Sequence, residues 1–137
     1  MRVKLLTNVK APEQKRVGDA GFDLYCPATV KLEAHKLTQV KLGIAIELNP
    51  DEVGMIQERS SVALKYNLHT IGNIIDSNYR GEISVIVQNN TDHDVMFGHG
   101  ERIAQLLILK LGEQTAIEVD ELSDSARGIE NHGSSGK

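Results

Sequence analysis

The sequence predicts an all-β fold: a jelly roll or β-sandwich of short antiparallel strands, with one short helix and a flexible C-terminal arm. Three observations carry that prediction. Apolar stretches are short and turn signals recur between them, as at Asn49-Pro50-Asp51-Glu52, Asn90-Thr91-Asp92 and Gly98-His99-Gly100-Glu101. One segment alone, Arg59 to Tyr66, reads as helical, and it is too short to cross over between parallel strands. Aromatics are scarce (three Tyr, two Phe, no Trp), so the core must pack on Val, Ile and Leu. No repeat period is present.

In chain order, Val3 to Leu6 forms a first strand, and residues 8–19, with Pro12 and several charges, form a loop. Asp19 to Tyr25 alternates apolar and polar residues, with Asp23 opposite in phase to Phe22 and Leu24, and Pro27 ends the run. Val30 to Leu32, Leu37 to Leu42, Ile44 to Leu48 and Val53 to Glu58 are further strands. Ser60 or Ser61 is placed to cap the helix. The stretch Gly72 to Glu82 organises the rest. A buried-type pair, Ile74 and Ile75, delivers Asp76 and then Tyr79, and Arg80-Gly81 closes the run before Ile83 to Val87. This predicts a tight hairpin with Asp76 and Tyr79 at its mouth. Glu82 to Asn89 and Val95 to Phe97 follow, and Arg102 to Lys110 is apolar enough for a strand covered on both sides. From Ser123 onward the chain cannot bury enough apolar area to fold alone. The expected organisation is one domain over residues 1–122 and an arm over 123–137.

Bulk properties narrow the function. Fifteen Lys and Arg stand against nineteen Asp and Glu with no basic run, which excludes a general nucleic-acid binder. A single cysteine, Cys26, allows no internal disulfide and reads as a small core filler in a reducing compartment. No apolar run reaches membrane-span length, and residues 1–20 lack a signal-peptide core, so the expected location is cytoplasmic, or the host cytoplasm for a viral or phage protein. His35, His69, His93 and His99 show no metal-ligand spacing and are expected on the surface.

Four clusters suit phosphate chemistry, though each also fits an ordinary structural role. Asp76 beside Tyr79 can order a water and a planar ligand, or simply form an Asx turn with a ring over the core. Arg59-Ser60-Ser61 sets a guanidinium and two hydroxyls at a helix start, where an anion is favoured, and equally fits a plain cap. Gly100-Glu101-Arg102 with Gln105 is a turn leading into a strand. Gly133-Ser134-Ser135-Gly136, with Arg127 upstream, can wrap a polyphosphate or be a plain terminus. It is not a Walker loop, because Asn131 stands where that motif needs its first glycine and no strand precedes it.

Taken together and in this order, these segments resemble the five sequence motifs of the trimeric deoxyuridine triphosphatase (dUTPase) family. Ala20-Gly21-Phe22-Asp23-Leu24 is similar to the first, Arg59-Ser60-Ser61-Val62-Ala63 to the second, and Ile75-Asp76-Ser77-Asn78-Tyr79-Arg80-Gly81-Glu82 to the third. Gly100 to Leu106 resembles the fourth, and Arg127-Gly128 through His132 to Gly136 the fifth. The resemblance implies a jelly-roll homotrimer with sites at subunit junctions, hydrolysing dUTP to dUMP and pyrophosphate with Mg2+. It implies Asp76 as the base that orients water and Tyr79 packed on the deoxyribose, leaving no room for a 2′-hydroxyl. Arg59, Ser60 and Ser61 would contact phosphates, and Gln105 the phosphates or the water. Uracil would be read by backbone groups around Ile71 to Ile74, with Asn73 and Ile75 in the binding set. Arg127, Gly133, Ser134 and Ser135 would clamp the terminal phosphates, His132 would stack on uracil, and Asp23 would reach the metal through water.

Four residues depart from the family pattern. Glu58 stands where Gly or Pro is usual, placing an extra negative charge near the phosphates. Asn73 replaces a common glycine, Thr70 an asparagine that contacts the base, and His132 the stacking phenylalanine. Two rivals remain. A deoxycytidine triphosphate deaminase would need a glutamate base and a longer chain, and a non-enzymatic nucleotide sensor would not need Asp76, Gln105 and Arg127 all present.

Overall fold

The computed structural model describes residues 1–113, 115–126 and 128–129. Among them lie eleven strands and one helix, in chain order β1 (Arg2–Leu5), β2 (Phe22–Tyr25), β3 (Val30–Leu32), β4 (Leu37–Lys41), β5 (Ile44–Glu47), β6 (Glu52–Gln57), α1 (Ser60–Tyr66), β7 (Leu68–Ile71), β8 (Ile74–Ile75), β9 (Ser84–Asn89), β10 (Val95–Phe97) and β11 (Arg102–Lys110). Every strand pairing is antiparallel. The main sheets run β2-β11-β6-β8 and β4-β9-β7, and β1-β5 and β10-β3 form two-stranded ribbons. This is the all-β architecture that short strands and frequent turns predict.

The core is aliphatic, as the composition requires. Leu24, Leu32, Leu42, Ile44, Ile56, Leu68, Ile83, Val85, Val87, Ile103 and Leu106 are all buried in one cluster. Each contributes about 1.5–3 kcal/mol of transfer free energy. Cys26 lies in the same cluster, and burial, aided by Glu101, pushes its thiol up to about 12, so it is inert packing. No helix among the described residues is long and apolar enough to cross a membrane.

Four local expectations are corrected. Ser60 and Ser61 do not cap α1. The N-cap is Arg59, in extended conformation and without a side-chain cap bond, and its carbonyl accepts from the Val62 and Ala63 amides. Residues 72–82 are not a hairpin, since β8 pairs with β6 while β9 pairs with β4 and β7. The chain instead steps between sheets there. Ile74 is not buried but 55% exposed, because β8 is the outer strand of its sheet. Finally, β11 has a partner on both edges only at Gln105 and Leu106: β2 pairs with Arg102 to Leu106 and β6 with Gln105 to Lys110, and Leu109 and Lys110 are exposed.

Strand β7 was not expected. Its inward residues are Leu68 and Thr70 and its outward ones His69 and Ile71, so apolar and polar residues swap faces mid-strand and hide the alternation.

Candidate active site

The first cluster of expected residues gathers in a cavity of about 670 Å³ lined by Asp23, Arg59, Ser60, Ser61, Arg102 and Gln105, among others. Antiparallel pairing of β2 with β11 sets Asp23 opposite Gln105. Alternation predicts a solvent-facing Asp23, yet its side chain is only 12% exposed. Two guanidiniums compensate the buried charge: Arg59 Nε lies 2.8 Å from Oδ1, and Arg102 Nη1 donates to Oδ2 at 3.0 Å. Because Arg59 caps the helix through its backbone, both serine hydroxyls are released from capping. Gln105 Nε2 donates to the Glu58 carbonyl at 3.1 Å. A Cβ on Gly21 would fall 2.6 Å from Gln105 Oε1, so the glycine gives that amide its seat.

Lys15 and Arg16 also line this cavity, so it carries Lys15, Arg16, Arg59 and Arg102 against Asp19 and Asp23. An anion fits that balance. Both lie in the 8–19 loop, where charges without apolar periodicity carry no local signal of a site. The loop is pinned by the Asp23 amide donating to the Glu13 carbonyl at 2.8 Å. Hydrogen bonds from Lys10, Lys15 and Tyr25 hold the Glu13 carboxyl down at about 2, so it stays ionised and keeps Lys15 in place.

The second cluster lies in a smaller cleft of about 200 Å³, lined by Gly72, Ile74, Ile75, Asp76, Tyr79, Glu82, Ser84 and Ile86. It opens where β8, the edge of one sheet, diverges from the outward face of β9 in the other. The loop beyond β8 braces itself. The Tyr79 amide donates to the Asp76 carbonyl at 3.1 Å, and the Tyr79 hydroxyl to the Glu82 carbonyl at 3.1 Å. Arg80 Nη1 donates to the Ser77 carbonyl at 2.7 Å and to that of Tyr79 at 2.9 Å. The Tyr79 ring lies so close over Gly81 that a Cβ there would meet its Oη at 2.3 Å. Asp76 and Tyr79 therefore stand exposed at the lip of the cleft on a braced loop between two sheets, not at the mouth of a hairpin. Asn73 is adjacent: its carbonyl accepts from the Ile56 amide at 2.8 Å, while its Oδ1 is buried without a partner among the described residues.

The two cavities share no lining residue. One chain thus brings Asp23, Arg59, Ser60, Ser61 and Gln105 together, and Ile75, Asp76 and Tyr79 together, without joining the two groups. Glu58 does not turn toward the phosphate cluster as expected. Its Oε2 accepts from the Thr70 hydroxyl at 2.8 Å and its Oε1 lies 3.6 Å from His69 Nδ1. Arg127, His132, Gly133, Ser134 and Ser135 lie outside the described residues.

Comparison with known proteins decides the family. A family model described as dUTPase matches residues 7–136. The chain belongs to the dUTPase family. The deoxyuridine 5′-triphosphate nucleotidohydrolase of Tropheryma whipplei (strain Twist) is 41% identical over 129 residues, covering 92% of this chain and 88% of the relative. The enzyme of that name from Paramecium bursaria Chlorella virus 1 is 35% identical over 133 residues, covering 97% and 94%. Among solved structures, the Staphylococcus bacteriophage 80alpha dUTPase G164S mutant with dUpNHpp superposes with a TM-score of 0.94 at 28% identity, covering 99% of this chain and 98% of that one.

Proposed function

We propose that this dUTPase hydrolyses dUTP to dUMP and pyrophosphate, with a water aimed by Asp76 attacking the α-phosphorus in a site completed between subunits of a homotrimer. The observation that carries the reading is Asp76 beside Tyr79 at the lip of a cleft walled by an edge strand. An edge strand offers unpaired amides and carbonyls, which suit the alternating acceptors and donor of uracil. Cytosine would set donors against donors, at ~1–3 kcal/mol for each buried group left unpaired.

Asp76 accepts a hydrogen bond from the water, directs its oxygen at phosphorus and takes its proton as the new P–O bond forms. The bond from phosphorus to the bridging oxygen breaks, and pyrophosphate leaves with the electron pair. Arg59, Gln105 and the serine hydroxyls hold the phosphates and offset the charge that grows on the departing group. Tyr79 fills the space beneath the sugar. By the family resemblance, an arm over residues 123–137 adds Arg127, Gly133, Ser134 and Ser135 at the terminal phosphates and His132 over the base.

A resident protein-held metal does not fit the site: no three His, Cys, Asp or Glu side chains converge among the described residues, and both Asp23 oxygens are engaged by arginine. Mg2+ brought in by the triphosphate would suit the cavity, where Asp23, sharing its carboxylate with the two arginines, would hold it through water. When bound, it would neutralise phosphate charge and polarise the phosphoryl group. The trimer reading is supported by the division of the site. The Asp76 cleft has no cationic side chain in its lining, and the Arg59 cavity lacks the Asp76–Tyr79 pair. A cytoplasmic location, or the host cytoplasm, accords with the substrate.

The test is pyrophosphate release from dUTP, dCTP, dTTP and UTP, each with Mg2+ or with EDTA. Release from dUTP alone, lost in EDTA, is expected. Ammonia from dCTP, or binding without turnover, would overturn the reading.

A further inference from the structure

Among the described residues three polar side chains are buried: Asp23, Thr70 and Asn89. Asp23 belongs to the phosphate cavity. Asn89 donates to the Leu32 and His93 carbonyls and so plugs the turn between β9 and β10. Thr70 has no part in the chemistry above, yet it lies one residue before the backbone that reads the base.

The turn at Gly72 and Asn73 joins β7 and β8, which belong to different sheets, so no ladder between those two strands holds it. Gly72 takes φ of +64°, as such a sharp step requires. Strand β6 and its extension grip the turn instead. Gly54 and Met55 pair with Ile75 and Ile74, and the Ile56 amide donates to the Asn73 carbonyl at 2.8 Å. On the β7 side Thr70 and Ile71 pair with Val87 and Ile86 of β9, and Glu58 adds a side-chain grip, its Oε2 accepting from the Thr70 hydroxyl at 2.8 Å and from the Thr70 amide at 3.4 Å. The Thr70 carbonyl in turn receives Asn73 Nδ2 at 3.4 Å. Burial raises the Glu58 carboxyl, but its own amide and the two Thr70 donors outweigh that and hold it below the usual range, so the acceptor is ionised. His69 stands outside this contact, half-exposed at 3.6 Å from the other oxygen.

We infer that Glu58 and Thr70 form a clasp that sets the position of the base-reading turn, making them specificity-determining positioning residues that act through the backbone of 71–74. The inference rests on the functional reading above. Discrimination by hydrogen bonding depends on tight placement, and a misplacement of about 1 Å is enough to cost it. The same residue also marks where the base side ends and the phosphate side begins, because its carbonyl takes Gln105 Nε2. Removing the clasp's side-chain bond leaves that backbone bond intact, so the two sides separate experimentally.

The test compares wild type, T70V and T70S for kcat and KM with dUTP and dCTP, for inhibition by pyrophosphate, and for thermal stability. T70V keeps shape and strand preference but removes the donor. It should raise KM for dUTP about tenfold with kcat within about twofold, and reduce the preference for dUTP over dCTP about tenfold. T70S should restore both, and pyrophosphate inhibition should not change. If T70V does not fold, E58A removes the acceptor at a part-exposed position and carries the same expectation. An unchanged preference for dUTP, or a parallel weakening of pyrophosphate inhibition, would reduce the pair to a structural role and overturn the inference. Wild type that turns over no dUTP would sink the functional reading first and the clasp with it.

Discussion

The Asp76 cleft and the Arg59 cavity belong to one chain but are held by opposite means. In the cleft, backbone does the holding: a loop that bonds to its own carbonyls, a ring seated on Gly81, and an edge strand. In the cavity, side chains hold one another through Asp23, shared by Arg59 and Arg102. On the proposed function, the difference suits the ligand each would take. A planar base with fixed donors and acceptors needs rigid backbone geometry, whereas a flexible triphosphate needs positive charge that can shift partners when it arrives.

Substitutions can break or sharpen that contrast. The largest effect belongs to Asp76→Asn, which keeps shape but loses basicity. Steady-state kinetics should show kcat reduced about 10³-fold, while calorimetric affinity for a non-hydrolysable analogue stays near wild type. Gly81→Ala comes next. Its Cβ would meet Tyr79 Oη at 2.3 Å, and because the ring is braced it must swing away. We expect kcat/KM for dUTP to fall about 10²-fold, with the melting temperature little changed; normal kinetics would show that the ring's seat is dispensable.

Asp23→Asn probes the cavity instead. It leaves two guanidiniums facing a neutral amide and should lower stability by ~1–3 kcal/mol in urea denaturation. The lower part of that range is favoured because the Arg102 side chain is 40% exposed, so solvent screens its share. The smallest effect is pH-linked. The Glu58 carboxyl lies below its usual 4.5 in the folded protein, so the stability it contributes is present above that value and lost as the pH falls through the lower folded value. Denaturation of Glu58→Gln beside wild type should therefore show a gap at neutral pH that shrinks as the pH falls below the usual 4.5 and closes on further acidification; a constant gap would contradict hydrogen bonding of the ionised carboxylate to Thr70.

Much of this was legible in the sequence. Aliphatic composition and turn spacing pointed to the all-β fold, and the first four motif segments contain most of the residues that gather in the two cavities, because glycine, aspartate, arginine and serine at fixed intervals record local demands that one stretch must meet alone. What stayed hidden was non-local. The step between sheets at 72–82 looks like a hairpin, since a turn has the same local chemistry whether its arms pair together or with other strands. Strand β7 escaped because Thr70 points inward, and it points inward because Glu58, twelve positions earlier, receives it. Lys15 and Arg16 joined the cavity only once the Glu13–Asp23 bridge folded their loop onto β2.

The central claim is that the cleft of one subunit meets the cavity of another, and subunit mixing tests it most directly. Asp76→Asn and Arg59→Ala, each inactive alone, would be unfolded together, refolded at equal ratio and assayed for pyrophosphate release from dUTP. If each site takes its two halves from neighbouring subunits of a closed ring, random assembly pairs intact halves at about a quarter of the sites and restores about that share of wild-type activity. If both halves served a single subunit, every site would keep one defect and the mixture would stay as inactive as its parents.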